Sequence, residues 1–477
     1  MDRANLSATI IREVGEICMA GLRQLGPELL ESDLDGIEQR LQDLGRRVMG
    51  PVVEGVVSML AVQPIAEPPL CPTCQRPMRL VEGARPRHLQ GLVGDYTLTR
   101  PYFGCAACHH GVAPLDARLG LGAGSLSPGL ARVACRLGIE DSFGEAADAL
   151  EETLRVDVAR EATRRITEGI GQVAEDEEHA AMIRAQAGRD PLPVEEVHAL
   201  PAGAALLVEV DGAQVHLDDD WHEAKVGLAA PLGPTTTTDS ESGRETLAMG
   251  KPSYCAGFES AETFWYRVYV EACRQGLGSV GLALIVVLGD GADWIWRYAS
   301  RFLAIGTAQI VEIVDIDHAW EHLGTVATAV FGHGSSPALA WLEPLKQQLL
   351  EQGTAPILAA LADLTPADPP AAEEVRKAIG YFTTHAARMD YPRFVARCLP
   401  IGSGAVESAC KTLIEEREKG AGMRWTKQDA QAVASLRALW RSDRWTPFWT
   451  THPLCRRPKV FPRPPHLPRE DHLKQAA

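Results

Sequence analysis

The amino-acid sequence predicts a multidomain α+β protein, and three observations carry that expectation. At 477 residues the chain is too long for one ordinary core, so roughly three domains are expected. Its apolar periodicity is helical near the N-terminus, strand-like after residue 200 and helical again after residue 320. Two Cys-x-x-Cys pairs mark off a small module of their own.

Residues 1–66 read as a helical region, with Ile10, Ile11, Val14 and Ile17 at helical spacing and no evident chemistry. Packing or dimerisation is the reading that fits. The cysteine module follows, over residues 67–118. CPTC supplies Cys71 and Cys74, and CAAC supplies Cys105 and Cys108. Each knuckle can present two thiolates from a tight turn, and two knuckles complete a tetrahedral four-thiolate zinc site. A closed ligand set leaves no place for substrate, so this zinc would be structural. The alternating Tyr96–Tyr102 segment between the pairs suits a zinc ribbon. His109 and His110 could substitute as ligands but are not needed.

Residues 119–190 carry three helical segments with turn signals between them. Ser127-Pro128 opens the first, Asp141-Ser142 precedes the second, and the third runs from about Val158 through Ile170. This order fits a helix-turn-helix module in which Arg160, Arg164 and Thr167 share a groove-reading face. A plain three-helix bundle with solvated arginines fits the same pattern.

Beyond a Pro-rich linker the strands begin. Ala205–Leu217, Glu223–Leu228 and Ser253–Phe258 precede a helix at Ala261–Gln275; the apolar runs Ala283–Gly289 and Ile310–Ile316 follow. Strand, strand, strand, helix, strand, helix, strand is the order of a ribonuclease-H-like core, here over residues 200–320. Residues 321–397 are helical, and a last helix starts after Ile401–Gly404 within residues 398–445. A basic, Pro-rich tail closes the sequence at 446–477.

Two strands end on Asp-Gly: Asp211 after LLVEV and Asp290 after ALIVVLG. An acidic group ending a buried strand is costly unless a cation or partner compensates it. Glu407, about one turn into the helix that Ser403 can cap, would add a third carboxylate on the face of Lys411. Three converging carboxylates suit a pair of hard divalent cations of the kind phosphoryl transfer uses. Asp315 and His318 follow the last strand and could approach the same place, whereas Asp218, Asp219 and Asp220 read as a hydrated turn.

Composition sets bounds on function. Apolar residues make up 45% and charged residues 23%, as in ordinary soluble proteins. The longest apolar stretch, near Val280–Leu288, is far short of the ~20 residues a bilayer needs, so no membrane partner is expected. With no basic-then-apolar start and eleven cysteines mostly set singly, a reducing cytoplasm is the expected location. No phosphate-cradling G-x-x-x-x-G-K-S/T is present, so ATP dependence finds no support. The net charge of −16 runs against DNA binding, yet basic residues cluster locally. Arg76, Arg79, Arg85, Arg87 and Arg100 lie between the cysteine pairs. From Lys411 onward Lys and Arg outnumber Asp and Glu about two to one, ending with Arg456, Arg457 and Lys459.

VEVDGAQV, EAKVG at Glu223–Gly227, LGDGADWIW, DIDHAWEHL and IGSGAVESACKTLIEEREKGAGMRW together resemble the ISKra group of insertion-sequence transposases, distant relatives of the Mutator-like transposases. The resemblance runs from the cysteine module to about Arg441, and its last motif is the most specific. It implies a ribonuclease-H-like DDE domain with an all-helical insertion before the catalytic glutamate, and it assigns the triad to Asp211, Asp290 and Glu407. Two catalytic Mg2+ ions (Mn2+ able to substitute) would be held there. Asp315 and His318 would form a D-x-x-H element near the scissile phosphate, with Lys411, Arg417 and Trp425 close to the site or the DNA. The implied activity is strand cleavage and strand transfer at insertion-sequence ends. The partners are double-stranded DNA, as terminal inverted repeats and target, gripped through residues such as Arg85, Arg87, Arg160, Arg164 and Thr167. Joining two ends implies a homodimer or larger assembly. The rival readings are a domesticated, non-catalytic DNA-binding protein and a nuclease on the same core.

Overall fold

The computed structural model describes residues 3–29, 32–61, 67–218, 220–238 and 243–450, so the tail arginines lie outside the described residues. The chain divides into two compact units: one of Met1–Val173 with the residues from Thr446 on, the other of Ala174–Trp445.

The first unit opens with two long helices, α1 (Arg3–Leu29) and α2 (Leu34–Ala61). A three-stranded antiparallel sheet follows, of β1 (Arg79–Leu89), β2 (Tyr96–Gly104) and the short β3 (Gly111–Val112). Helices α3 (Pro114–Arg118), α4 (Pro128–Gly138), α5 (Phe143–Leu154) and α6 (Arg160–Gln186) come next, the last passing into the second unit. Ser127 caps α4 through the Leu130 amide, with Pro128 at the first position as expected. Ser142 and Glu145 close a capping box on α5. Leu130, Ala134, Leu150, Val156 and Val158 make the small core that these helices share.

The second unit is a mixed α/β structure. β4 (Ala204–Leu217) and β5 (Asp220–Thr238) form a long antiparallel pair. β6 (Glu245–Met249) and β7 (Ser253–Gly257) pair with β5 on its far side. After α7 (Ala261–Arg274), β8 (Leu282–Gly289) lies parallel to β4. After α8 (Asp293–Leu303), β9 (Gln309–Val314) lies parallel to β8, giving the order β6-β5-β4-β8-β9. Leu284 to Leu288 read as a continuous apolar run because that strand is covered on both faces. In β4, Ala205–Val210 are buried without alternation, and strict alternation begins after Asp211. Pairing with β8 stops at Glu209, so beyond Asp211 the β4–β5 pair continues as a two-stranded arm. Asp211 therefore stands where the covered sheet ends.

The helical stretch comprises α9 (Ile316–Phe331), α10 (Ser336–Gln352), α11 (Thr354–Ala362), α12 (Pro369–Thr384) and α13 (Tyr391–Ala396). It starts at Ile316, before the expected boundary at 321. The chain then returns through α14 (Gly404–Ala409), a π-helical stretch at Cys410–Glu415, α15 (Glu416–Glu418), α16 (Lys427–Arg441) and α17 (Trp445–Thr450). Among the described residues no helix is long and apolar enough to cross a membrane.

One buried ion cluster braces the second unit. Arg267 on α7, 3% exposed, meets Glu259 at 2.5 Å, Glu175 at 2.6 Å and Glu178 at 3.1 Å. Arg267→Ala would strand three carboxylates away from water. A loss of about 3–5 kcal/mol in denaturant unfolding is expected. A variant as stable as its parent would mean those acids are neutralised some other way.

Candidate functional site

The cysteines come together as the spacing predicts. The four sulfurs of Cys71, Cys74, Cys105 and Cys108 lie within 4.8 Å of one another. Cys71 and Cys108 approach to 3.3 Å, Cys74 and Cys105 to 3.5 Å, and Cys108 and Cys74 to 3.8 Å. Four thiolates about 2.3 Å from one zinc sit roughly 3.8 Å apart, so these edges fit a single ion. The two knuckles repeat one backbone design. Gln75 N–H donates to the Cys71 carbonyl and His109 N–H to that of Cys105; Cys71 N–H donates to Arg76 and Cys105 N–H to His110. Gln75 and His109 both take left-handed φ, 58° and 56°, which closes each turn. The donor set is complete with four sulfurs, so His109 and His110 are not required.

In the second unit the strand registers bring three aspartates abreast. Glu209 on β4 faces Leu288 on β8, and Gly289 on β8 faces Val314 on β9. Carried forward by two residues and by one, these registers set Asp211 level with Asp290 and Asp290 level with Asp315. Neighbouring strands are about 4.8 Å apart, so three carboxylates share one edge. Each carboxylate accepts from a nearby backbone amide: Asp290 from Ala292 (2.8 Å) and Asp315 from Asp317 (2.9 Å), at the turns they begin, and Asp211, within β4, from Gly212 (2.7 Å). A left-handed Gly291 (φ 101°) follows Asp290, and Tyr381 of α12 packs where its Cβ would be. The Tyr381 hydroxyl donates to the Asp290 carbonyl (3.2 Å).

Glu407 reaches this edge from α14, which packs on β4 and β5. The Val406 amide donates to Glu209 at 2.9 Å and pins the helix start to β4. The tightest set of ligand atoms is Asp315, His318 and Glu407, again within 4.8 Å of one another. Asp211, Asp290 and Glu407 do not form a set that tight among the described residues. Asp315 and His318 come beside Glu407 because α9 starts directly at the end of β9.

Ser403 was expected to cap α14, but it makes no such bond. Its hydroxyl sits between Asp315 Oδ2 and Glu407 Oε1, the latter 3.1 Å away. One hydroxyl has one proton and can donate to only one carboxylate at a time, so the other oxygen must take a proton, a cation or water, and Glu407 is open to solvent. The electrostatics agree. Burial pushes Asp211 up, and the charge of Asp290 adds to the shift. Burial likewise raises Glu407, with Asp315 adding its repulsion. Burial also works to raise Asp315, but hydrogen bonds from His318 and Ser403 outweigh it and leave that group lowered. The hydrogen bond to Asp315 lifts His318 to about 9. Glu209, 1% exposed, is pushed by burial up to about 8. This is a cluster of oxygen donors short of positive charge.

Several assigned residues sit elsewhere. Lys411 is exposed, one turn beyond Glu407. Arg417 and Trp425 are buried (1% and 6% exposed) and stack on each other at 4.7 Å; Trp425 pairs with the end of β4 at Leu217. They brace the segment after Glu407 and are not surface contacts for DNA. Thr167 is fully buried, donates to the Thr163 carbonyl and packs on Gly138, so it does not share an outward face with the arginines. Arg164 is held by Glu161 and Glu168, while Arg160 is exposed. Arg87 is tied to Asp116 (2.8 Å) and to the Gly122 and Gly124 carbonyls, and Arg85 is exposed over the Tyr102 ring at 4.2 Å.

The sequence reading missed Glu209 and the Cys410 thiol, which points at Asp211 Oδ2 from 3.5 Å. A signal existed for Glu209: two residues before Asp211 on one strand, it must share that face.

No family model matches the chain, and no curated protein matches it.

Proposed function

We propose that the chain is a DNA transposase of the DDE type, cleaving and joining DNA strands at paired element ends. The observation that carries this reading is the row Asp211, Asp290 and Asp315 along one edge of three neighbouring parallel strands, where the pairing of β4 with β8 and the strands β8 and β9 end, with Glu407 on a helix beside Asp315. The strand order supports a ribonuclease-H-like core: an antiparallel run β4-β5-β6 on one side of the sheet, and β8 and β9 parallel to β4 on the other. The helices between β9 and α14 match the all-helical insertion that the resemblance to the ISKra group implies.

The donor set is carboxylate oxygen, with Asp211 and Glu407 raised in pKa by burial and by a neighbouring carboxylate, which fits hard divalent cations such as Mg2+ or Mn2+. When bound there, such ions supply a Lewis acid for the phosphate and lower the pKa of an attacking water or 3′-hydroxyl. The protein positions: Asp211 from within β4, Asp290 from the end of β8, and Glu407 from a helix anchored by Glu209. His318, charged beside Asp315, is placed to donate to a phosphate oxygen. The cysteine module and α4–α6 would grip the inverted repeats.

The test is a cleavage assay on duplexes made from the DNA flanking the reading frame, with Mg2+ or Mn2+. Metal-dependent nicking and joining at paired repeats is expected. Cleavage that ignores end sequence would favour a general nuclease, and binding without cleavage a domesticated DNA binder. Ser403→Ala should slow the reaction about 10–100-fold, the usual effect of losing a group that orients a ligand. Measured across a metal titration, the defect should be largest at low metal; an unchanged rate at every concentration would mean the hydroxyl bridges nothing that matters.

A further inference from the structure

The first sixty residues take no part in that chemistry, yet their surface is unusual. α1 and α2 form an antiparallel hairpin, with Gly21 against Leu44 and Gly55 against Ile10. A second side of α2 rests on the cysteine-bearing module: Glu54 accepts from the Thr97 amide (2.8 Å), and Arg46 pairs with Asp95 (3.1 Å). A third side is bare. Along it Leu34, Leu41, Met49 and Val56 are 70%, 42%, 40% and 51% exposed, and on α1 Ile11 and Met19 are 72% and 53% exposed. At 3.6 residues per turn each row lies roughly a quarter-turn or more from its helix's contact with the other. Because the helices run oppositely, both rows turn to the same side of the hairpin. Single exposed apolar residues are ordinary; two aligned rows are not.

The rows have a pattern suited to pairing with themselves. Ile11–Gly15–Met19 and Leu41–Gly45–Met49 repeat one spacing, and a Cβ added at either glycine would meet nothing within 4 Å. The α2 row is symmetrical about Gly45, with Leu41 and Met49 at equal distance from it and Leu34 and Val56 at equal distance beyond. Turned end for end, the row matches itself: Leu41 falls beside Met49 of the partner subunit, while Gly45 lets the two backbones come close. Self-complementarity of one patch is the requirement of a twofold interface. Size agrees as well. Helices of 27 and 28 residues are about 40 Å long, and two abreast are about 20 Å wide. The face thus offers about 800 Å² per copy, the area a stable interface of standard size buries.

We infer that this face binds a second copy of the chain, the two hairpins stacking into an antiparallel four-helix bundle. The pairing stands apart from the carboxylate chemistry and would persist in a chain that cleaves no DNA. Sedimentation equilibrium of the full, zinc-loaded chain up to about 100 μM, enough for a micromolar dissociation constant, should return the mass of a dimer. The double variant Leu41→Glu/Met49→Glu should return the monomer mass with its helical circular dichroism intact. If that variant fails to fold, Gly45→Cys decides: mild oxidation should yield more covalent dimer than the parent gives. A parent that stays monomeric, a folded double variant that stays dimeric, or no added cross-linking by Gly45→Cys would each overturn the inference, and a monomeric parent would give this face to some other partner.

Discussion

Asp211→Asn should abolish metal-dependent strand cleavage while leaving the fold and DNA binding intact. The substitution keeps size and hydrogen-bonding shape and removes one negative charge. Asp211 is partly exposed at the end of the covered sheet, and its fold-side contacts are the Gly212 amide and the Cys410 thiol. The asparagine oxygen can accept from the Gly212 amide as Oδ1 does, and the amide nitrogen that replaces Oδ2 can donate to the Cys410 sulfur. Stability should therefore hold or rise slightly, since burial and the Asp290 charge already disfavour the ionised acid. Cation binding, in contrast, needs that charge. Groups that only orient a ligand are worth 10–100-fold, so a direct donor should cost at least about 100-fold in rate. Cleavage of end-containing duplexes and the metal concentration for half-maximal rate are the measurements. Equal cleavage by variant and parent would remove Asp211 from the site and the reading with it. Because Asp315 and His318 lie within 4.8 Å of Glu407, Asp315→Asn in the same assay shows which aspartate the glutamate works with.

The parts of this arrangement that were legible in the sequence are those written in local chemistry. An Asp-Gly pair ending an apolar run suggests a strand end, and Asp290 directly follows β8 as expected, whereas β4 runs on past Asp211 to Leu217 and only its pairing with β8 stops there. Paired Cys-x-x-Cys spacings specify a turn, and both turns are present. The parts that were not legible depend on long-range packing. Ser403 before a helix reads as a cap, and only the arrival of β9 beside it turns its hydroxyl to Asp315 and Glu407. Thr167 has the helical spacing of Arg160 and Arg164, but periodicity does not say which side a neighbour covers; Gly138, lacking a side chain, lets α4 approach and bury it. The β6 strand, Glu245–Met249, has no clear alternation and is defined by its pairing with the end of β5. Arg417 and Trp425, expected close to the site or the DNA, are buried and stack on each other after the glutamate-bearing segment, a packing that their local sequence does not announce.

Loss of zinc should unfold the cysteine module altogether. Around the four sulfurs the buried apolar side chains are few: Met78 and Phe103 pack with Cys71 and Cys105, and Cys74 and Val112 lie partly buried beside them. The outer strand β1 is exposed along most of its length, so the three-stranded sheet has little core to hold it. Small modules of this kind take most of their folding free energy from the ion, of order 10 kcal/mol for structural zinc at neutral pH. Two substitutions, Cys71→Ser and Cys105→Ser, each remove one buried thiolate from a different knuckle. Both should lower bound zinc from one ion per chain to none and make β1–β3 susceptible to proteolysis. The second unit, with its own core around β4, β8 and β9, should keep its thermal transition, and chelator treatment of the parent should reproduce the same split. Zinc measured by elemental analysis at one per chain in the parent is the direct check. A parent purified without zinc that binds none on addition, and whose module still resists protease, would mean the four sulfurs meet for another reason.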